Sequence, residues 1–402
     1  MSEEEGRPAA GTPALAQSSE GEAALTQSRD GEGAKVSVAG GSRTESSGDA
    51  QQGPLRRGRS ARADGLRARL FPYELVAVGL FCGAFVGLRS AGLRLDWTAA
   101  VYTFRPFVRE APKLLLLGIA LQLGYRLVVR LAGGGGVPAS IAALRAYLAE
   151  IVRPGWWLLW LRLYVAYALV NYVYFWVKVS VPLLHGRLFD PALWRIDRAL
   201  HLGLSPNVLM VELFAGTPLV GLLDRWYAIY ILTVMWTIAF YACERRSDLR
   251  RSFLLSCILL WIAGPALYLS LPALGPVYTD PEVFEEVLVD MPRAVGGQEV
   301  LWENYQKVVA GRTGPLRAFN PTRGIAALPS LHVGAHFLFL LWARRFHRPL
   351  YAFWALGTLL TFFGSVVSGW HYAIDGYLGI LLGLVAYLVA RRLEPVEESA
   401  TP

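Results

Sequence analysis

Two short stretches of this chain hold the residues whose types and spacing could do chemistry. Pro329-Ser330-Leu331-His332 places a histidine at the start of one apolar run, and Gly369-Trp370-His371-Tyr372-Ala373-Ile374-Asp375 places a histidine and a carboxylate at the start of another. Ionisable groups beside membrane-length apolar segments are costly to bury, so their presence there marks a candidate functional site. Ser330 after Pro329 suits a helix N-cap, which puts His332 in the first helical turn. The free backbone N–H groups and positive dipole end of such a turn favour a phosphate, and a histidine beside them could protonate a leaving oxygen. His371 and Asp375 are spaced i, i+4 and share one helix face. A carboxylate that holds one ring nitrogen fixes the tautomer and leaves the other free to attack or to accept a proton. Either motif alone is also what a packed, hydrogen-bonded histidine looks like; together, at the ends of neighbouring spans, they favour catalysis.

The elements that must position these groups are membrane helices. A chain of 402 residues with 54% hydrophobic residues, 17% charged residues and 13 tryptophans is read as a polytopic, all-α transmembrane bundle. Spans need roughly 20 mainly apolar residues. On that basis eight are expected, near 72–93, 112–132, 155–178, 218–243, 252–271, 331–344, 349–369 and 372–390. Between the third and fourth, Leu193, Ile196 and Leu200 recur at helical spacing among Arg195, Asp197 and Arg198, which predicts an interfacial amphipathic helix. The expected organisation is a disordered cytoplasmic tail over 1–66, two additional N-terminal spans over 67–150, a six-helix catalytic domain over 151–392 and a short disordered tail over 393–402.

Basic residues give the expected orientation. Arg56, Arg57, Arg59, Arg62, Arg67 and Arg69 precede the first span, and the clusters at Arg245–Arg251, Arg344–Arg348 and Arg391–Arg392 fall on the same side by span counting. Both termini are then cytoplasmic and both histidine motifs face the opposite, extracytoplasmic side of a multi-pass membrane protein, with the cell membrane its expected location. The net charge of +8 sits in these clusters and forms no continuous basic face, so no nucleic-acid partner is expected. Cys82, Cys243 and Cys257 fall in apolar runs without disulfide or zinc spacing.

The pattern resembles the type 2 phosphatidic acid phosphatase-like superfamily of lipid phosphatases and phosphotransferases. The resemblance rests on Pro329-Ser330-Leu331-His332 and on His371-x-x-x-Asp375, and it covers the second part of the chain. It implies that His371 attacks phosphorus to form a phosphohistidine, that Asp375 orients it, that His332 protonates the departing alkoxide and that no metal or other cofactor is needed. Leu328 before the motif, with Asp197-Arg198-Ala199-Leu200 and Asp224-Arg225-Trp226-Tyr227, is similar to the inositolphosphotransferase branch that includes inositol phosphorylceramide synthases. That branch implies a phospholipid donor and a lipid alcohol acceptor. Two departures stand out. Ser365 occupies the position of the superfamily's arginine before the nucleophile, and Lys307 is followed by Gly314-Pro315 where an Arg-Pro pair is expected. Ser330 and the loop residues Arg312, Arg317 and Arg323 are therefore the candidates for phosphate binding.

Three functions remain in play at this point: transfer of a phospho-head group, inositol phosphate by resemblance; hydrolysis of a lipid phosphate or polyprenyl diphosphate, with water as acceptor; and a non-catalytic lipid transporter or scaffold that keeps the fold. His332-x-x-x-His336 could also hold zinc with His371 or Asp375 as a third ligand, although a packed role for His336 is the simpler expectation.

Overall fold

The computed structural model describes residues 70–92, 97–310 and 320–397. Among them, 81% of residues are helical and none lies in a strand. The tail expected to be disordered, together with Arg312 and Arg317, lies outside the described residues.

The longer helices are α1 (Pro72–Ser90), α2 (Trp97–Ala132), α3 (Val137–Ile151), α4 (Pro154–Leu184), α5 (Asp190–Leu200), α6 (Pro206–Phe214), α7 (Pro218–Ala228), α8 (Tyr230–Ala242), α9 (Ser247–Ser270), α10 (Pro292–Val309), α11 (Leu331–Phe346), α12 (Tyr351–Val367) and α13 (Ala373–Leu393). Many open on proline at the first or second position, where its fixed φ suits the helix and its missing N–H is not needed. Among the described residues, six helical segments are long and apolar enough to cross a membrane: Pro72–Ser90, Phe104–Ala132, Pro154–Leu184, Ser247–Ser270, Arg348–Val367 and Ala373–Leu393.

The remaining two of the eight expected spans differ. The run at 218–243 is interrupted at Ile229 into α7 and α8, and α6 meets α7 at a bend of 120°. The sixth expected span is the 16-residue α11. Three helices were not expected: α3, α6 and α10. Glycines at 133–136 and polar residues in 292–309 mask the helical period that burial of one face later selects.

At the centre, α9, α11 and α13 pack on one another, with α12 against α11 and α4 against α9. An aromatic core holds them. Tyr241 stacks on Phe253 at 3.8 Å, Phe253 meets Trp342 edge-on, and the Trp342 indole donates to Ser256 at 3.0 Å. The two N-terminal spans are part of this bundle: α1 packs on α4, tied by the Arg162–Glu74 ion pair, and α2 packs on α8.

The α11–α13 contact is built on small residues. A Cβ at Gly334 would lie 2.8 Å from the Gly379 carbonyl oxygen and one at Gly383 2.8 Å from the Gly334 carbonyl oxygen. Backbones can approach this closely only where side chains are absent. The same closeness brings the first turn of α11 against the first turn of α13. At the other end of these helices the basic clusters converge: Arg246 and Arg391 both lie over the Phe346 ring, and Arg251 pairs with Glu394 at 2.9 Å.

Candidate active site

His332 is the second residue of α11, and His371 stands just ahead of α13. The structure brings them together. Nδ1 of His332 lies 3.3 Å from Nε2 of His371, and Nδ1 of His371 lies 3.3 Å from Oδ2 of Asp375. With His371 donating from Nδ1 to the carboxylate, its Nε2 is the acceptor and His332 is the donor. A group that bonded to this Nε2 would displace the His332 N–H, which would then face the group's own oxygens.

Each member of the row is held by backbone bonds. Ser330 caps α11 by accepting from Val333 N, and its own N–H donates to the Asp375 carbonyl oxygen at 2.9 Å. With the His332–His371 contact, this bond links the two sequence motifs. Asp375 Oδ2 also accepts the Tyr372 N–H at 2.9 Å, so the carboxylate caps its own helix while it orients the imidazole. Its Oδ1 is buried without a hydrogen-bond partner among the described residues. Gly369, at φ 73°, makes the turn out of α12 that a side chain would strain, and its carbonyl accepts from Val277 N at 3.0 Å. Asn207 at the start of α6 donates to the carbonyls of Val366 and His371, fixing the loop from the opposite side.

The amphipathic helix α5 forms as expected, with Ile196 and Leu200 exposed and Leu193 buried, but its acidic residues turn inward. Asp197 accepts the N–H groups of Ala373 and Ile374 at 2.8 and 2.9 Å and thereby caps α13. Asp190 accepts from Leu274 N, Gly275 N and the Tyr372 hydroxyl. Burial pushes both carboxyls above their ordinary pKa, and the N–H donors work against that rise. Asp224 plays a similar part at α10, accepting Ala294 N at 2.9 Å and pairing with Arg293.

Sequence reasoning overlooked the aromatic and cationic walls. Tyr230 packs edge-on against His332 with centroids 4.3 Å apart, and Tyr227 packs at 5.1 Å. Lys178 of α4 lies with His332 and Thr322 on the lining of one cavity. Its ammonium group sits 5.7 and 5.5 Å from the Tyr174 and Tyr268 rings, and no carboxylate pairs with it among the described residues. The available signal was a lysine inside an apolar run, which the expected span ended on rather than enclosed.

Of the four phosphate-binding candidates, Ser330 lies at the site and is fully buried. Arg323 is exposed on the loop whose next residue, Gly324, packs against the Lys178 backbone. His336 bonds through both ring nitrogens, to Thr233 and Thr361, so neither is spare for a metal. Among the described residues no group of three or more His, Cys, Asp or Glu side chains is arranged as a metal site.

Residues 191–389 match the model of the PAP2 superfamily. That match supports a phosphatase-like enzyme. No curated protein and no solved structure matches the chain. The matched region contains His332, His371 and Asp375, whereas α1 to α4, and with them Lys178, precede it.

Proposed function

We propose that this protein is a membrane-embedded phosphotransferase that moves a phospho-head group from a phospholipid to a lipid alcohol through a phosphohistidine at His371. The observation that carries this reading is the row Asp375–His371–His332, in contact at 3.3 Å at each step, whose His332 lines a cavity of about 620 Å³ with mainly apolar walls.

In the first half, Nε2 of His371 attacks phosphorus and the bond to the glyceride oxygen breaks. Asp375 stabilises the imidazolium that forms, and His332 gives its proton to the departing alkoxide. In the second half, the acceptor alcohol attacks the phosphohistidine, His332 takes the alcohol's proton, and the P–N bond breaks. Lys178 and the N–H groups of the first turn of α11 supply positive charge to the phosphoryl oxygens. Arg323 serves at the rim. Inositol phosphate as the transferred group, and a sphingolipid alcohol as acceptor, are what the resemblance of Leu328 and the fragments at Asp197 and Asp224 to the inositolphosphotransferase branch implies. The converging arginines at the opposite end of the bundle favour an extracytoplasmic site with both termini cytoplasmic.

The test is product analysis by mass spectrometry on purified protein with phosphatidylinositol and ceramide, beside His371→Ala. Inositol phosphorylceramide and diacylglycerol from the wild type alone are expected. Free inositol phosphate in their place would replace transfer with hydrolysis. An undiminished rate in His371→Ala would overturn the covalent mechanism.

A further inference from the structure

The cavity that ends at His332 has a shape the chemistry does not require. On α4 it is lined by Trp160, Tyr164, Tyr167, Asn171, Tyr174 and Lys178, one continuous face of that helix. On α8 it is lined by Tyr230, Val234, Ile238 and Ala242, again one face. At about 1.5 Å of rise per residue these stripes run for about 27 and 18 Å. Half of a bilayer's hydrocarbon core is only about 15 Å. From its Lys178, Thr322 and His332 end the slot therefore runs past the depth of one leaflet, aromatic or aliphatic along most of the rest, with Asn171 and Glu110, the latter paired with Arg109 and Lys113, as its other polar groups.

The third wall is α2, through Pro106, Phe107, Glu110 and Leu114. At the deep end α2 locks onto α8: a Cβ at Gly118 would collide with the Ala239 carbonyl and lie 2.6 Å from the Cys243 sulfur. The floor of the slot is thus fixed by a backbone contact between a helix inside the matched region and one outside it.

We propose that this slot holds one acyl chain of the donor phospholipid, extended, with its phosphate at His332 and His371, and that α2 acts as the wall and stop that limit chain length. The inference rests on the lipid phosphotransferase reading for the position of the phosphate. Charge complementarity supports the occupant: Lys178, which no carboxylate pairs with among the described residues, marks the anionic end, Glu110 is already paired with Arg109 and Lys113, and the apolar stripes mark the tail. A chain moving from bilayer to slot leaves one apolar medium for another, so the slot gains little from the hydrophobic effect and selects by fit. Length discrimination, more than affinity, is its expected output.

The experiment uses the full chain carrying His371→Ala in lipid nanodiscs, with phosphatidylinositol bearing a diazirine at the end of a palmitoyl chain. Irradiation is expected to label residues 106–114, 160–167 and 234–242. Label confined to the outer surfaces of α12 and α13 would overturn the proposal. Because labelling needs no turnover, a protein that fails to transfer but labels in the slot refutes the catalytic reading and keeps the tail site. In the otherwise unaltered chain, Leu114→Trp and, independently, Ile238→Trp are expected to lower the rate with palmitoyl substrates by about 10-fold or more relative to octanoyl substrates. Equal losses for both chain lengths in either folded variant would sink the claim that α2 and α8 measure the chain.

Discussion

The protein buries a histidine against a carboxylate at both ends of the bundle, and the two clusters differ in what is left over. At the basic end, Glu244 accepts from Arg126 at 2.8 Å, Gln122 at 3.1 Å, His347 at 3.2 Å and the Arg245 N–H at 2.7 Å. His347 uses its other nitrogen on the Tyr241 hydroxyl at 3.2 Å. Every polar atom of that carboxylate and imidazole is engaged. At the other end Asp375 keeps one oxygen without a partner among the described residues, and His332 lines a cavity. A fully satisfied buried network holds helices together, whereas a partly satisfied one is a place where a substrate can complete the set.

Neutralising each carboxylate tests this contrast most severely. Asp375→Asn is expected to lower the transfer rate by about 10⁴-fold, as when an orienting carboxylate is replaced by an amide that favours the wrong tautomer. Its stability, read by thermal unfolding in detergent, should fall by less than about 1 kcal/mol, because the lost interaction is one hydrogen bond. Comparable losses of activity from Asp375→Asn and Glu244→Gln would erase the distinction between the two ends.

Lys178 sharpens the same comparison from the substrate side. Lys178→Met is expected to cost about 10²-fold in kcat/KM, the usual scale for removing one charge-stabilising donor. Lys178→Arg should recover part of it, since the charge is retained. An unchanged rate in Lys178→Met would return the phosphate site to the arginines of the preceding loop.

At the basic end the expected loss is in folding. Removing one partner of a buried pair costs about 3–5 kcal/mol, so Glu244→Gln should unfold at markedly lower temperature while its activity stays within a few-fold of wild type. Burial raises the Glu244 pKa, but the His347 hydrogen bond and the His347 and Arg126 charges outweigh it and pull the value from 4.5 down to about 2. A depressed carboxyl pKa contributes stability that is fully present above 4.5 and is lost as pH falls toward about 2. The gap in unfolding temperature between wild type and Glu244→Gln should therefore close across that window. A gap that persisted at the acid end would mean that packing, and not charge, is what Glu244 supplies.

The Asp375–His371–His332 row was legible in the sequence as a candidate site because its residues are local: Ser330 and His332 share one helical start, and His371 and Asp375 share another. Their meeting followed from span counting, and the glycines at 334, 379 and 383 explain physically why they touch. What surrounds them was not legible. Asp197 and Asp190 look like the polar face of an interfacial helix until α13 presents its free N–H groups to them. Tyr230 looks like an ordinary apolar position because its partner lies a hundred residues on, and Tyr227 enters only within the Asp224–Tyr227 fragment, which does not show what it packs against. The break at Ile229 and the helix α10 have no composition signal of their own; tertiary contacts select them.

His336 is the place where position and partnering disagree, and so gives the finest test. It lies one turn from His332, near the reaction, yet it resembles His347 in having both nitrogens bonded, here to Thr233 and Thr361. Thr361 also accepts from the Trp226 indole at 2.9 Å, and the next residue, Tyr227, lies against His332. If partnering decides, His336→Gln, which keeps a donor and an acceptor, should lower the rate by no more than about 10-fold, through loosened support of that wall, the scale of about one hydrogen bond. The residual activity should then be indifferent to zinc and to chelators. A loss as large as that of Asp375→Asn, or rescue by zinc, would show that proximity to the site outweighs a completed set of bonds.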